Sequence, residues 1–144
     1  MNLDDLDWRI LEELRKEHAP NSTIARELGV SEGAVRQRLK KLKDSDVMKV
    51  KTLINPDSLD HRVLAVVAIN LAESAQLDIK AREIAGLNDV LSVNITTGRY
   101  DLLTEVLVDS NHGLVEFLTK ELSQVKGVTS TESFLMLKGY NKYV

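Results

Sequence analysis

Hydrophobic positions along the chain fall into two regimes. In the first, apolar residues recur every three or four positions: Leu6, Ile10, Leu11 and Leu14, then Ile24, Ala25 and Leu28, then Val35, Leu39 and Leu42. That spacing puts each set on one face of a helix. It predicts a first helix over Leu3 to His18, a short second helix, and a third beginning at Glu32 and reaching Lys43. Ala19-Pro20-Asn21 breaks the first helix, because proline disfavours helical geometry in the residue before it, and Asn21 or Ser22 can cap the second. Gly29 can supply the left-handed residue that ends the second helix, and the Ser31 hydroxyl can cap the third. Ala25 is followed four positions later by Gly29 and ten positions later by Val35. A helix-turn-helix asks for that spacing: the small residue lets the helices approach, the glycine reverses the chain, and the valine locks the angle from inside.

The second regime alternates. Val47, Lys49 and Lys51 interleave with Met48, Val50 and Thr52, which predicts a strand or short hairpin over 47–54, the wing beside a recognition helix. Asn55-Pro56-Asp57 is a turn signal, so 1–54 is expected to be one domain, 55–62 a short linker, and 63–144 a second domain. Within the latter, strands are predicted at 63–71, 90–97, 101–108 and 128–137, with helices at 77–85, closed by Gly86, and at 111–124. The order β-α-β-β-α-β is that of a ferredoxin-like sandwich, so the fold class is α+β: a winged helix-turn-helix followed by a sheet with two helices on one side. In the first of these strands Val63, Ala65, Val67, Ile69 and Leu71 point one way and Leu64, Val66 and Ala68 the other. Two helices cover one face. The other calls for the same sheet of a second copy, hence a homodimer.

Composition narrows the choices. Of 144 residues 43% are hydrophobic, enough for two small cores, and the absence of cysteine rules out disulfides and thiolate metal sites. His18, His61 and His112 show no ligand spacing, so no metal and no cofactor are expected. Neither a leader-like N-terminus nor an apolar run of membrane-spanning length occurs, which reads as a soluble cytoplasmic protein without a membrane partner. The net charge of −3 hides a local excess: Arg36 to Lys51 holds seven basic residues against Asp44 and Asp46. Such a confined positive field fits a duplex whose phosphates are met by one surface only. On the third helix Glu32, Gly33, Arg36, Gln37 and Lys40 project away from the apolar back, where Arg36 can pair with guanine and Gln37 with adenine in the major groove. Two readings stand for Lys49 and Lys51, phosphate contact or protection of a sheet edge. An enzyme is disfavoured, since no nucleophile with an adjacent base and no glycine-rich phosphate loop is present. An RNA-binding sheet would need exposed aromatics on its middle strands, which here carry Leu, Val, Thr and Glu105.

These residues resemble the leucine-responsive and asparagine-operon regulators, the Lrp/AsnC or feast/famine family. The likeness is carried by Leu3-Asp4 with Asp7, Ile10-Leu11, Ile24-Ala25, Leu28-Gly29-Val30-Ser31, Val35, Arg38-Leu39 and Leu42, then Ile54-Asn55-Pro56 with Leu59. In the second half it is carried by Gly98-Arg99-Tyr100-Asp101 and by Gly127-Val128 with Thr131. It spans essentially the whole chain, with Asp46 and Asp60 standing where the family usually has glycine. The resemblance implies a transcription regulator that binds double-stranded DNA, dimerises through its second domain, assembles further into tetramers or octamers, and responds to an amino acid. The implied DNA-binding set is Ser22, Ser31, Glu32, Gly33, Arg36, Gln37, Arg38, Lys40, Lys41, Lys49 and Lys51, where Arg38, Lys40 and Lys41 meet phosphates or pack. The implied effector set is the loop Thr97, Gly98, Arg99, Tyr100 and Asp101, joined by Thr131 and Ser133. On the residues alone, Gly98 asks only for a positive φ at a hairpin.

Overall fold

The computed structural model describes residues 2–16 and 19–144 and divides into two compact units, Met1–Thr52 and Leu53–Val144. The division falls just ahead of the expected linker, and Pro56 is buried within the second unit.

The first unit holds α1 (Asp5–Lys16), α2 (Asn21–Leu28) and α3 (Glu32–Asp44). Ile10, Ile24, Ala25, Val35 and Leu39 form its core, with Leu6, Leu14, Leu28, Val30 and Met48 packed around it. The first helix starts later than its periodicity suggests, because Asp4 and Asp7 build a reciprocal cap. The Asp4 carboxylate accepts from the Asp7 amide at 2.9 Å, and the Asp7 carboxylate accepts from the Asp4 amide at 3.2 Å. This satisfies two amides at the helix start. The predicted end at His18 lies outside the described residues.

Neither Asn21 nor Ser22 caps α2. Pro20 occupies the cap position without a side-chain hydrogen bond, and its carbonyl receives the amides of Thr23 and Ile24. Gly29 closes α2 at φ 68°, with the Val30 amide reaching back to the Ala25 carbonyl at 3.0 Å. Ser31 caps α3, its hydroxyl oxygen accepting from the Ala34 amide at 3.1 Å. Asp46 takes φ 56° just past α3, and the Val47 amide bonds to the Leu42 carbonyl. Aspartate thus does at 46 what glycine would do, tolerating left-handed geometry. In the linker the positive φ belongs to His61, at 65°, rather than to Asp60.

The expected wing strand over 47–54 is not formed. Residues 48–55 carry no regular element; Ile54 exchanges backbone bonds with Val144, at 2.8 and 3.0 Å, without extending them into a ladder. A strand is a paired object, and the alternation at 47–52 finds no ladder within one chain.

The second unit contains β1 (Arg62–Leu71), α4 (Leu77–Ala85), β2 (Val90–Ile95), β3 (Leu102–Asp109), α5 (Ser110–Glu116) and β4 (Val128–Leu135). The sheet order is β2-β3-β1-β4, with each neighbouring pair antiparallel. This is the expected β-α-β-β-α-β fold. The helix predicted over 111–124 is broken in kind, running as α5, a π-turn at Phe117–Glu121 and a 3-10 turn at Leu122–Gln124. Ala65, Val67, Ile69, Leu102, Val106 and Val108 pack from the sheet against Ala81, Ile84, Leu114, Phe117 and Leu122. On the opposite face Val66 stands between Glu105 and Phe134 in register. Phe134 is 44% exposed there, while Leu64 and Ala68 are already buried within the single chain. That face is not wholly apolar: Lys142, from the segment after β4, pairs with Glu105 at 2.5 Å.

Candidate nucleic-acid interface and effector loop

Val35, Leu39 and Leu42 hold α3 from behind, and the periodicity of a helix then fixes what faces solvent. Glu32, Gly33, Arg36, Gln37, Lys40 and Lys41 are all exposed. Gln37, Arg38, Lys40, Lys41, Asp44 and Ser45 line a shallow concavity of about 600 Å³ along the flank of α3. Ser31, exposed at the start of α3, spends its acceptor on the cap, and Ser22 is exposed in the first turn of α2.

The cations of this surface differ in how they are held. Arg38 donates to both Asp4 and Asp7, with 3.0 Å to the Asp7 carboxylate. Asp7 is fully buried, so α3 is tied to the start of α1 by a charge-assisted pair. Arg38 thus anchors α3 to α1 while its side chain, 31% exposed, still borders the α3 flank. Hydrogen bonding to Arg38 holds the Asp4 carboxyl below its ordinary value and raises the guanidinium. Arg36 bonds Glu32 at 2.8 Å, Lys40 bonds Asp44 at 2.7 Å, and Lys49 lies 3.1 Å from Asp46. These last pairs are solvent-exposed, weak, and readily exchanged for phosphate or base partners. Lys49 and Lys51 are exposed on an irregular segment, not on a wing strand.

In the second unit Thr97 to Asp101 joins β2 to β3. Gly98 has φ 109°, with nothing near the position a Cβ would take. The loop is pinned: the Thr96 hydroxyl donates to the Tyr100 carbonyl at 2.7 Å, and the Asp101 carboxylate accepts from the Leu71 amide at 2.8 Å. Arg99 stacks over Tyr100, 5.5 Å from the ring centroid. Thr131 and Ser133 are exposed on β4, opposite Ile69 and Val67. Ile69 pairs with Leu102 on its other side, so two strand spacings, about 10 Å, separate Thr131 from the loop's end. Thr131 lines a different groove, with Leu118, Leu122 and Val128, which the 97–101 loop does not reach. The seven expected effector residues are thus not gathered into one pocket within a single chain. The reciprocal Asp4–Asp7 cap and the Arg38 clamp escaped sequence reasoning, although the pairing of two acids three residues apart was visible.

Among the described residues no group of His, Asp and Glu could hold a metal, and no helix is long and apolar enough to cross a membrane.

Known proteins with the same architecture carry the assignment further. Residues 3–43 match the AsnC-type helix-turn-helix domain and residues 64–143 the Lrp/AsnC ligand binding domain. An uncharacterized HTH-type transcriptional regulator of Pyrococcus furiosus is 38% identical over 136 residues, 93% of this chain and 91% of that protein. The HTH-type transcriptional regulator LysM of Sulfurisphaera tokodaii is 33% identical over 95% of this chain and 96% of its own length. Among solved structures, a feast or famine regulatory protein of M. tuberculosis complexed with L-methionine aligns with TM-score 0.77 and 26% identity, covering 98% of this chain and 96% of that one. A helix-turn-helix with a basic outer face, a βαββαβ unit and relatives that share both along nearly their whole length lead to one statement: this chain belongs to the Lrp/AsnC family of helix-turn-helix transcriptional regulators.

Proposed function

We propose that α3 enters the major groove of double-stranded DNA, with Arg36 and Gln37 reading base edges beside Ser31, Glu32 and Gly33. Lys40 and Lys41, with Ser22, Lys49 and Lys51, meet phosphates. The carrying observation is that α3 buries Val35, Leu39 and Leu42 while its outer side presents Arg36, Gln37, Lys40 and Lys41 to solvent. Phosphate contacts fix the register and base contacts set the sequence. The regulator acts in the cytoplasm, where its operators are.

Two copies pair through the sheet face that the helices leave open, with Val66 and Phe134 near its middle, and dimers associate further as tetramers or octamers. An amino acid binds at the loop Thr97, Gly98, Arg99, Tyr100 and Asp101, with Thr131 and Ser133 completing the pocket once another copy is present. The regulator in complex with L-methionine supports the ligand class, and the wide spacing of loop and Thr131 supports a site finished by assembly. An effector that prefers one assembly over another shifts DNA occupancy by linkage.

Fluorescence anisotropy on duplex DNA from upstream of the protein's own gene tests this reading. Affinity is expected to fall steeply between low and moderate salt, and to change, together with assembly mass, on adding one of the amino acids. Salt-independent binding, or none, overturns the DNA assignment; unchanged mass and no heat across all the amino acids overturns the effector assignment.

A further inference from the structure

The first turn of α3 carries an acid where a phosphate-seeking surface would be expected to avoid one. The Glu32 carboxylate accepts from the Arg36 guanidinium at 2.8 Å, and the two side chains are 48% and 70% exposed. We infer that Glu32 and Arg36 read DNA as one unit, and that Glu32 is a specificity-determining residue selecting, on the strand it faces, a base that presents an amino group, cytosine foremost, beside the guanine bound by Arg36. The inference rests on α3 lying in the major groove.

The chemistry follows from donors and acceptors. Arg36 has five N–H donors, and the bond to Glu32 leaves a fork for guanine O6 and N7. An ionised carboxylate can only accept. In the major groove the donor groups are the amino groups of cytosine and adenine, whereas guanine and thymine turn acceptors toward it. Glu32 therefore rewards one class of edge and repels the other, which is how a contact acquires selectivity. Four residues of helix separate the two Cα atoms by about 6 Å along the axis. That is about two base-pair steps of 3.4 Å, so both side chains address one short run of sequence. Lys40 and Asp44 have the same spacing further along α3, beyond the first turn that leads a recognition helix into the groove. Glu32 also sits favourably at the positive end of α3. That alone would account for its presence, and it would leave base preference untouched.

Selection from a randomised duplex library, with the full chain and with Glu32→Gln and Arg36→Ala, separates these accounts. Wild type is expected to enrich a guanine with a cytosine within two steps. Glu32→Gln is expected to keep the guanine and move the neighbouring preference from cytosine to adenine, by about tenfold in the ratio of the two. It should also bind random DNA several-fold more tightly, since a negative charge near phosphate is gone. Far-UV circular dichroism of each variant establishes that α3 is retained. A folded Glu32→Gln with the wild-type base profile overturns the inference while leaving the DNA reading intact. Failure of the wild type itself to enrich any sequence overturns both.

Discussion

Arg38 on α3 reaches the buried carboxylate of Asp7 on α1 at 3.0 Å, and Asp7 in turn caps the helix that bears it. One acid thus serves helix initiation and helix–helix registration together. Removing its partner leaves a charge in the interior with fewer hydrogen bonds, a severe change compared with loss of a surface pair. Arg38→Met is expected to lower the urea midpoint of the first unit clearly more than Arg36→Ala does, as followed by the fluorescence of Trp8.

The same clamp has a pH signature. Its hydrogen bond depresses the Asp4 carboxyl below the ordinary 3.8. A depressed folded pKa contributes stability that is fully present above the unfolded value and is lost as pH falls through the folded one. Stability from this pair should therefore hold from neutrality to about pH 4 and decline below it. Urea titrations between pH 2 and pH 6 should show a shallower acid decline in Arg38→Met than in wild type.

DNA binding is expected to separate two kinds of contact on α3. Lys40→Ala is expected to weaken specific and random duplexes alike and to reduce the salt slope by about 1. Arg36→Ala is expected to cost about 1–3 kcal/mol on the preferred duplex and little on random DNA. Anisotropy titrations at several salt concentrations resolve the two; equal losses on both duplexes for Arg36→Ala would count against base reading.

Phe134 and Val66 share a cross-strand row on the open face of the sheet. Phe134→Glu places a charge there beside Glu105, which already occupies the same row through Val66. Light scattering at micromolar concentration is expected to find a dimer for wild type and a monomer for the variant. A dimer of unchanged mass would exclude this face as the interface.

Gly98 has open space at its Cβ position but a φ of 109°. Substitution there is opposed by the backbone, not by neighbours, so Gly98→Val should cost about 1–3 kcal/mol. The sheet should survive, since Thr96, Tyr100 and Asp101 still anchor the loop. Calorimetric titration with amino acids and the mass of the assembly are expected to change together if the loop both binds and bridges.

Much of this could be read from residue order because the signals were local. Gly29, Ser31 and Val35 each had one job that neighbouring residues defined, and the structure uses them for those jobs. Strand and helix positions in the second unit followed from alternation and from Gly86. What escaped depended on partners distant in sequence. The alternation at 47–52 looked like a strand, yet a ladder requires a second chain segment that no local pattern reveals. Asn21 looked like a cap until Pro20 took that position. Arg38 had two open roles, and its bonds to acids 31 and 34 residues earlier are not foretold by its own neighbours. The separation of Thr131 from the 97–101 loop is a property of sheet order, which the β4 sequence does not carry.

The Arg38 clamp also bears on how operators can vary. With the pitch of α3 fixed against α1 by a guanidinium bonded to the buried Asp7 carboxylate, each reading head is expected to behave as a rigid die. It tolerates exchange of individual letters within its imprint, at an energetic penalty per letter, but no insertion or deletion inside it. Elasticity in target architecture is then expected between imprints, wherever more than one copy engages a duplex.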